Sequence, residues 1–471
     1  MKRTRFVLSC LFAFLLQGVL VPSPSLAQWT ADGIMLQARG PGARCSLIPD
    51  DEGGVWVVYE TSGDIIFVDV YVQHFDADGY ARFEGNGICV LSDSLSPTGQ
   101  LLGAFARPDG GVVVAFTNGT VLPEYEWIVM GQAVSEEGER LFGPSGAVVS
   151  ADRDTQWRRR FPSAVSDENG GFWALYEHPG ADSMFITGMN ADGTPKLEED
   201  YSFEEHEGFE PALCSDGMGG IYIAWGNYLP DTNNVVQIEL QHVLSDGSLG
   251  YEEPFILLTN PEGGLDEPVD LVRRYDNNDT YLSIKKGTGS IFQRITSEGV
   301  LPWGIEGVLI NTPYGSLRPS NPVITPDGGV MVFSNRNHEA VLLRATPEGE
   351  PYFEGGYVLY EIIDLITIPS PLLISSPADS TYMCFNQLQI DLFTKRFVGF
   401  KFNDEGNNVW ETTPHIFQEY GIYNGIEAFY GTLASDGSAI LCIQWDRELT
   451  GTRLHLHKIL PNGQLLSLIH I

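Results

Sequence analysis

From residue 44 onward the chain alternates short apolar runs with acidic, glycine-containing turns. Residues 161–177 read FPSAVSDENGGFWALYE and residues 210–226 read EPALCSDGMGGIYIAWG. The same frame recurs at 320–335 (SNPVITPDGGVMVFSN), 44–60 (RCSLIPDDEGGVWVVYE) and 104–118 (AFARPDGGVVVAFTN). Each copy predicts a strand, a tight turn and a second strand of β-branched and aromatic residues, because Asp-Gly and Asn-Gly supply the positive φ that a hairpin needs. Weaker copies stand at 268–284, 371–386 and 432–446, with Asn277-Asn278-Asp279, Pro377-Ala378-Asp379 and Ser435-Asp436-Gly437 in the turn. Eight first hairpins result.

A second turn follows each hairpin: Asp76-Ala77-Asp78-Gly79, Glu136-Glu137-Gly138, Asn190-Ala191-Asp192-Gly193, Ser245-Asp246-Gly247, Ser297-Glu298-Gly299, Pro347-Glu348-Gly349, Asp404-Glu405-Gly406 and Pro461-Asn462-Gly463. Its glycines are 59, 55, 54, 52, 50, 57 and 57 residues apart, and in four copies Gln73, Gln132, Gln241 and Gln293 lie six residues before the glycine. Four strands per repeat cannot bury both faces alone, but stacked around an axis they can. The expectation is an all-β fold, a single β-propeller of four-stranded blades, eight by this count with seven as the alternative. Residues 29–33 (Trp29-Thr30-Ala31-Asp32-Gly33) and 34–37 read as the second turn and fourth strand of a repeat that lacks its first three strands. At the other end, residues 454–460 read as a third strand that runs into Pro461-Asn462-Gly463. Pairing 34–37 with 454–460 as the outer strand of the last blade is expected to close the ring.

Composition supports this reading. With 52 Gly and 28 Pro in 471 residues, long helices are excluded, since an interior Gly costs a helix about 1 kcal/mol and a Pro about 3. The 43% hydrophobic content excludes a disordered acidic chain. Lys2, Arg3 and Arg5, an apolar run over 6–21 and Ser25-Leu26-Ala27 read as a secretory signal peptide over 1–27, cleaved after Ala27. The remaining chain carries 24 basic against 62 acidic residues, a formal charge of −38. Such a charge speaks against nucleic acid or an anionic membrane as a partner, and no later segment is apolar enough to span a bilayer. Residues 466–471, LSLIHI, match what the outer end of a common sequencing transposon encodes in frame. The propeller is therefore read as 28–465 and the last six residues as an adapter artefact at a truncated end, which leaves any native module beyond Leu465 out of view.

At these repeats the chain resembles the loosely defined secreted bacterial β-propeller proteins, whose repeats read proline, strand, Asp-Gly-rich turn, strand with Trp or Tyr, strand with Gln, then a Gly turn and Trp. Residues Leu301-Pro302-Trp303-Gly304-Ile305-Glu306-Gly307-Val308 and Asn407-Asn408-Val409-Trp410 carry the last part. A weaker resemblance is to the quinoprotein propellers, whose blades end in Gly-x-x-x-Trp. The likeness spans about 29–465 and implies a fold rather than an activity. It also implies a protein outside the cytoplasm, at the cell surface, in the medium or in the periplasm.

Candidate chemistry is sparse. Ser166-Asp167-Glu168-Asn169-Gly170-Gly171-Phe172-Trp173 only echoes a sialidase Asp box, with Asp one position early. A quinoprotein dehydrogenase usually places a vicinal Cys pair on its cofactor, and the chain has none. Among 62 acidic residues any glycosidase pair can be proposed, so that test has no power. Cys45, Cys89, Cys214, Cys384 and Cys442 have no Cys-x-x-Cys spacing and read as buried thiols, not a disulfide framework or zinc site. Asp76-Ala77-Asp78-Gly79 reads as a solvated turn and not a calcium loop, and His455 with His457 as a solvent-facing pair. No cofactor or metal is called for. The distinctive feature is Trp157, Arg158, Arg159 and Arg160, immediately before the first strand of the third repeat. Arg44 and Arg318 hold comparable places before repeats one and six. In a propeller these lie near the channel mouth, where guanidinium groups beside Trp suit a carboxylated or sulfated glycan. The expectation is a monomeric, non-catalytic ring for binding or surface display, whose partner is a glycan or another surface protein. The alternative is a polysaccharide-active hydrolase or lyase with its site on one ring face.

Overall fold

The computed structural model describes residue 29 and residues 34–36, 44–64, 67–90, 98–119, 127–150, 163–178, 183–203, 209–228, 236–260, 267–286, 289–311, 317–336, 339–361, 371–389, 394–411, 414–421, 424–447 and 453–466. They form eight antiparallel four-stranded blades around one axis, with no helix among them. The first blade is Cys45–Pro49, Val55–Asp64, Phe67–Phe75 and Ile88–Cys89; the second is Thr98–Ala106, Val112–Gly119, Trp127–Val134 and Ala147–Val148. The third and fourth are Ser163–Ser166, Phe172–His178, Ser183–Met189, Tyr201–Phe203 and Phe209–Ser215, Ile221–Tyr228, Val236–Val243, Phe255–Asn260. Glu267–Arg273, Thr280–Lys286, Gly289–Ile295 and Val308–Asn311 make the fifth. In the sixth the inner strand is split into Leu317–Pro319 and Val323–Ile324, followed by Val330–Arg336, Glu339–Ala345 and Tyr357–Glu361. Leu372–Ser376, Thr381–Gln389, Thr394–Asn403 and His415–Gly421 make the seventh, and Asn424–Leu433, Ala439–Arg447 and Arg453–Ile459 begin the eighth. No helix among the described residues is long and apolar enough to cross a membrane.

The repeats that lack turn glycines still form blades. In the fifth and seventh, Asn278 (φ 59°) and Ser380 (φ 53°) take the left-handed conformation in the first turn that Gly takes elsewhere. Asn enters that region more readily than most residues with a Cβ, and here its Oδ1 accepts from Arg273 Nη1 at 2.7 Å.

Eight apolar cores, one between each neighbouring pair of blades, bind the ring. Each second strand therefore buries both faces. In the seventh blade Tyr382 and Cys384 face the sixth, while Met383 and Phe385 face the eighth. This is why the second strands read as unbroken apolar runs such as YMCF and IYIAW and do not alternate with polar residues.

The ring closes through the N-terminal strand. Ile34–Leu36 pairs antiparallel with Arg453–Ile459 in the register Ile34↔Leu456, Met35↔His455 and Leu36↔Leu454, and supplies the outer strand of the eighth blade. One detail differs from the sequence reading. Trp29 stands not at the start of a turn but in the place that follows one: its Nε1 donates to Ala77 O at 3.0 Å, as Trp303 does to Pro347 and Trp410 to Pro461. All three acceptors lie two residues before a second-turn glycine, so Trp29 is the missing tryptophan of the last repeat. At the other end Leu466 is not idle, because its N–H bonds Lys458 O and its side chain packs on the core between the eighth and first blades. Residues 1–27, read above as a signal peptide, and residues 467–471 lie outside the described residues.

Deleting residues 29–40 should lower the urea midpoint sharply, because it opens an edge and empties one core. Trp29→Ala alone should cost about 3–5 kcal/mol, as for other large buried side chains. Removing 467–471 should change stability by less than about 0.5 kcal/mol. A midpoint for the 29–40 deletion equal to that of the parent would refute this closure.

Candidate functional site

The eight inner strands line a central channel, and both acidic turns of every repeat lie at the same end of it. That follows from strand direction: in an antiparallel blade the first and third connections lie on one face. At this end the first turn of each blade presents an Asp to a basic side chain of the same blade. The pairs are Asp50–His74 (2.7 Å), Asp109–Arg107 (2.8 Å), Asp167–Lys196 (2.8 Å), Asp216–His242 (2.9 Å), Asp279–Arg294 (2.6 Å), Asp327–Arg344 (2.7 Å), Asp379–Lys401 (3.0 Å) and Asp436–Lys458 (2.9 Å).

Six of these bases occupy one position, five residues before the second-turn glycine. In the third blade that position is Gly188, and a Cβ there would lie 2.6 Å from Cδ of Lys196, which reaches back into the space. In the second blade it is Ala133, and Arg107 of the first strand substitutes. Several of the cations also cross to the next blade and donate to the carbonyl two residues before its turn glycine. Arg107 reaches Ala191, Arg294 reaches Pro347, Arg344 reaches Asp404, Lys401 reaches Pro461, and Lys458 closes the circuit on Ala77 and Gly53 of the first blade. The belt thus ties each blade to itself and to its neighbour. The column of bases is visible in the sequence at a fixed offset from the turn glycines, but it was not singled out there. The Gln that precedes it in four repeats is structural: the Gln73 amide bonds Phe83 N and O, and Gln132, Gln241 and Gln293 likewise hold the segment after the second turn.

A cavity of about 520 Å³ opens at this mouth between the seventh, eighth and first blades, lined in part by Asp50, Asp51, Asp379 and Asp436. Burial pushes the Asp379 carboxyl up, but hydrogen bonds from Ser376, Thr381 and Lys401 outweigh it and hold the group down at about 2. Asp436 is likewise held below the usual carboxylate range, burial being outweighed by Lys458 and Ser438. Both are ionised partners of cations and not poised proton donors. Carboxyls shifted upward lie elsewhere. Burial raises Glu60 in the first blade against bonds from the Arg44 and Leu101 N–H groups, and burial pushes Asp270 in the fifth up to about 6. First and fifth blades face each other across an eight-membered ring, so these two cannot share one reacting bond.

Inside the channel a second cavity of about 430 Å³ is lined by residues that include Cys45, Ala104, Asn321, Leu372, Phe429 and Tyr430. The arginines expected near the opposite mouth fall as follows. Arg44 immediately precedes Cys45; its Nη1 donates to Leu101 O at 3.0 Å, and its N–H to Glu60 Oε2 at 3.0 Å, so it clamps the first blade to the second. Arg318 pairs with Asn335 at the start of the sixth inner strand, three residues before the channel-lining Asn321. Trp157, Arg158, Arg159 and Arg160 lie outside the described residues. His455 and His457 are not solvent-facing, with exposures of 7% and 2%. They point between the blades because residues 454 and 456, on the other face of the strand, fill the core against the first blade. Burial, and next the neighbouring His455, lower the His457 imidazole to about 3. The five cysteines among the described residues are free thiols, and no group of three or more metal-ligating side chains occurs among those residues.

No protein-family model matches the chain, and no curated protein resembles it in sequence. Among solved structures, puromycin hydrolase is similar with a TM-score of 0.45 and 13% identity, over 89% of this chain and 61% of that one. Prolyl oligopeptidase B from Galerina marginata gives 0.44 and 11%, over 86% and 56%. A protein from Lactobacillus plantarum gives 0.40 and 13%, over 72% and 91%. The chain spans about three fifths of the length of the first two. At this level of likeness nothing about activity transfers.

Two outcomes follow from the belt and the buried imidazole. Lys458→Met should destabilise the protein by about 3 kcal/mol in urea unfolding, because it removes the ammonium that joins Asp436 to two first-blade carbonyls. Stability should also decline on acidification. His457 has its full stabilising effect above about pH 6.5; between there and about pH 3 the unfolded chain takes up a proton that the folded chain refuses, at a cost of up to about 1.4 kcal/mol per pH unit. Urea midpoints from pH 8 to pH 4 should fall less steeply for His457→Leu than for the parent.

Proposed function

We propose that the protein is a secreted, non-catalytic propeller that binds a carboxylated or sulfated glycan at the channel mouth opposite the acidic turns. The observation that carries this reading is the division of basic residues. Eight bases at the acidic face each answer an Asp of their own blade, whereas the run Arg158-Arg159-Arg160 directly precedes an inner strand in the sequence. Arg44 and Arg318 begin inner strands at the same end, beside residues that line the channel. Guanidinium groups bind carboxylate and sulfate bidentately, and Trp157 adds a stacking surface. The ionised, cation-paired Asp379 and Asp436 support a binding role over hydrolysis, which needs a protonated carboxyl beside a second carboxylate.

Purified protein should bind dextran sulfate or polygalacturonate at low salt and lose affinity as salt rises, as charge-assisted contacts do. Replacing Arg158, Arg159 and Arg160 together with Ala should weaken binding about tenfold or more, since one bond to a charged group contributes about 1.5–3 kcal/mol. Unchanged affinity in the triple variant, or no binding of either polymer by folded protein, would overturn the reading. Release of new reducing ends from either polymer would favour the hydrolase alternative.

A further inference from the structure

Cys45 and Cys442 are 397 positions apart in the chain, yet they sit together in the seam where the ring closes. Cys45 begins the inner strand of the first blade, opposite Tyr59; Cys442 lies in the second strand of the eighth, opposite Tyr430 and Leu456. Both are buried, at 5% and 0% exposure, in the one core that joins these two blades, together with Trp29 and Leu36 of the closing segment. The strands that carry them pack against each other across this core. The other cysteines stand apart. Cys214 is in the core between the fourth and fifth blades, Cys384 in the core between the sixth and seventh, and Cys89 in the outer strand of the first blade. With Cys10 in the segment read as a signal peptide, the other five cysteines divide into one pair in a shared core and three singles.

We propose that Cys45 and Cys442 form a reversible disulfide that locks the first blade to the eighth and doubles the closure made by Ile34–Leu36. The oxidant is a small-molecule disulfide. One cysteine thiolate attacks it, giving a mixed disulfide and releasing one thiol; the second cysteine thiolate displaces the other. Two protein thiols lose two protons and two electrons, and one external disulfide becomes two thiols. Burial raises the Cys45 thiol well above its ordinary range, so exchange in the closed ring is slow and the bond forms while the seam is still open. The other neighbours of the pair are Tyr59, Tyr430 and Glu60, and none competes for a thiol.

The test uses the full mature chain refolded with oxidised and reduced glutathione, so it does not depend on where the protein resides or what it binds. After denaturation, three thiols should alkylate instead of five, the intact mass should be about 2 Da below that of the reduced protein, and non-reducing digests should yield one cross-linked peptide that contains both Cys45 and Cys442. Reductant should lower the urea midpoint of the oxidised parent and of Cys214→Ser, and leave that of Cys442→Ser unmoved. Five alkylatable thiols after oxidative refolding, a cross-link that involves Cys89, Cys214 or Cys384, or a reductant effect retained in Cys442→Ser would overturn the proposal.

Discussion

The contact on which the ring depends is that of each second-turn glycine with an apolar side chain of the preceding blade. Trp29 lies over Gly79, Phe83 over Gly138, Phe142 over Gly193, Leu197 over Gly247, Tyr251 over Gly299, Trp303 over Gly349, Tyr357 over Gly406 and Trp410 over Gly463. A turn that packs this closely needs a residue without a Cβ and with φ near +85°, and glycine meets both needs. The contact repeats around the ring, so it sets how each blade docks on the next. It is also why one N-terminal tryptophan matters: without Trp29 the chain of contacts has seven members and an open end.

The second constraint is charge. A chain this acidic cannot gather sixteen turns on one face without managing repulsion, and the belt of Asp–base pairs does so locally. Each inner Asp accepts turn N–H groups or a basic side chain, and several of the bases spend their remaining donors on the next blade. Gly220 N and Met218 N, for example, both donate to Asp216, which also accepts from His242. Where the usual position carries Gly188, Lys196 arrives from a different place in the sequence, which indicates that the cation matters more than its backbone address. Pairs that bury the cation, Lys458 at 2% exposure and Lys401 at 4% against half-exposed Asp436 and Asp379, act chiefly by specifying one arrangement, since desolvation of the ammonium offsets much of the attraction.

These two constraints leave the two faces of the ring unequal. The face that holds both sets of turns is committed to holding blades together, and the first-turn Asp of every blade pairs with a basic side chain. At the opposite face begin the inner strands, and loops that join elements are where residues vary most freely without disturbing a core. Arg44 shows the boundary between the two roles. It stands at the end where binding is proposed, yet its guanidinium bonds the second blade.

The sequence by itself determined the repeat, its number and the character of its strands, because these rest on local chemistry: turns that need positive φ and strands buried on both faces write their pattern into neighbouring residues. It also exposed the incomplete repeats at the two ends, from which the pairing of Ile34–Leu36 with the last blade could be read. Only the tertiary structure decided which side chains meet across blades. Trp29 looked like the start of a turn until its indole was seen on Ala77. His455 and His457 looked solvent-facing because strand alternation predicts an exposed face, whereas a propeller blade has two buried ones. The column of bases five residues before the turn glycines was legible, but its meaning was not, since each base is recognised by an Asp 15 to 26 residues away, and four of the six also by a carbonyl of another repeat. Cys45 and Cys442 lie at opposite ends of the sequence, and nothing local links them. Contacts of that kind arise from closing the circle, and closure is a property of the whole ring that no single repeat contains.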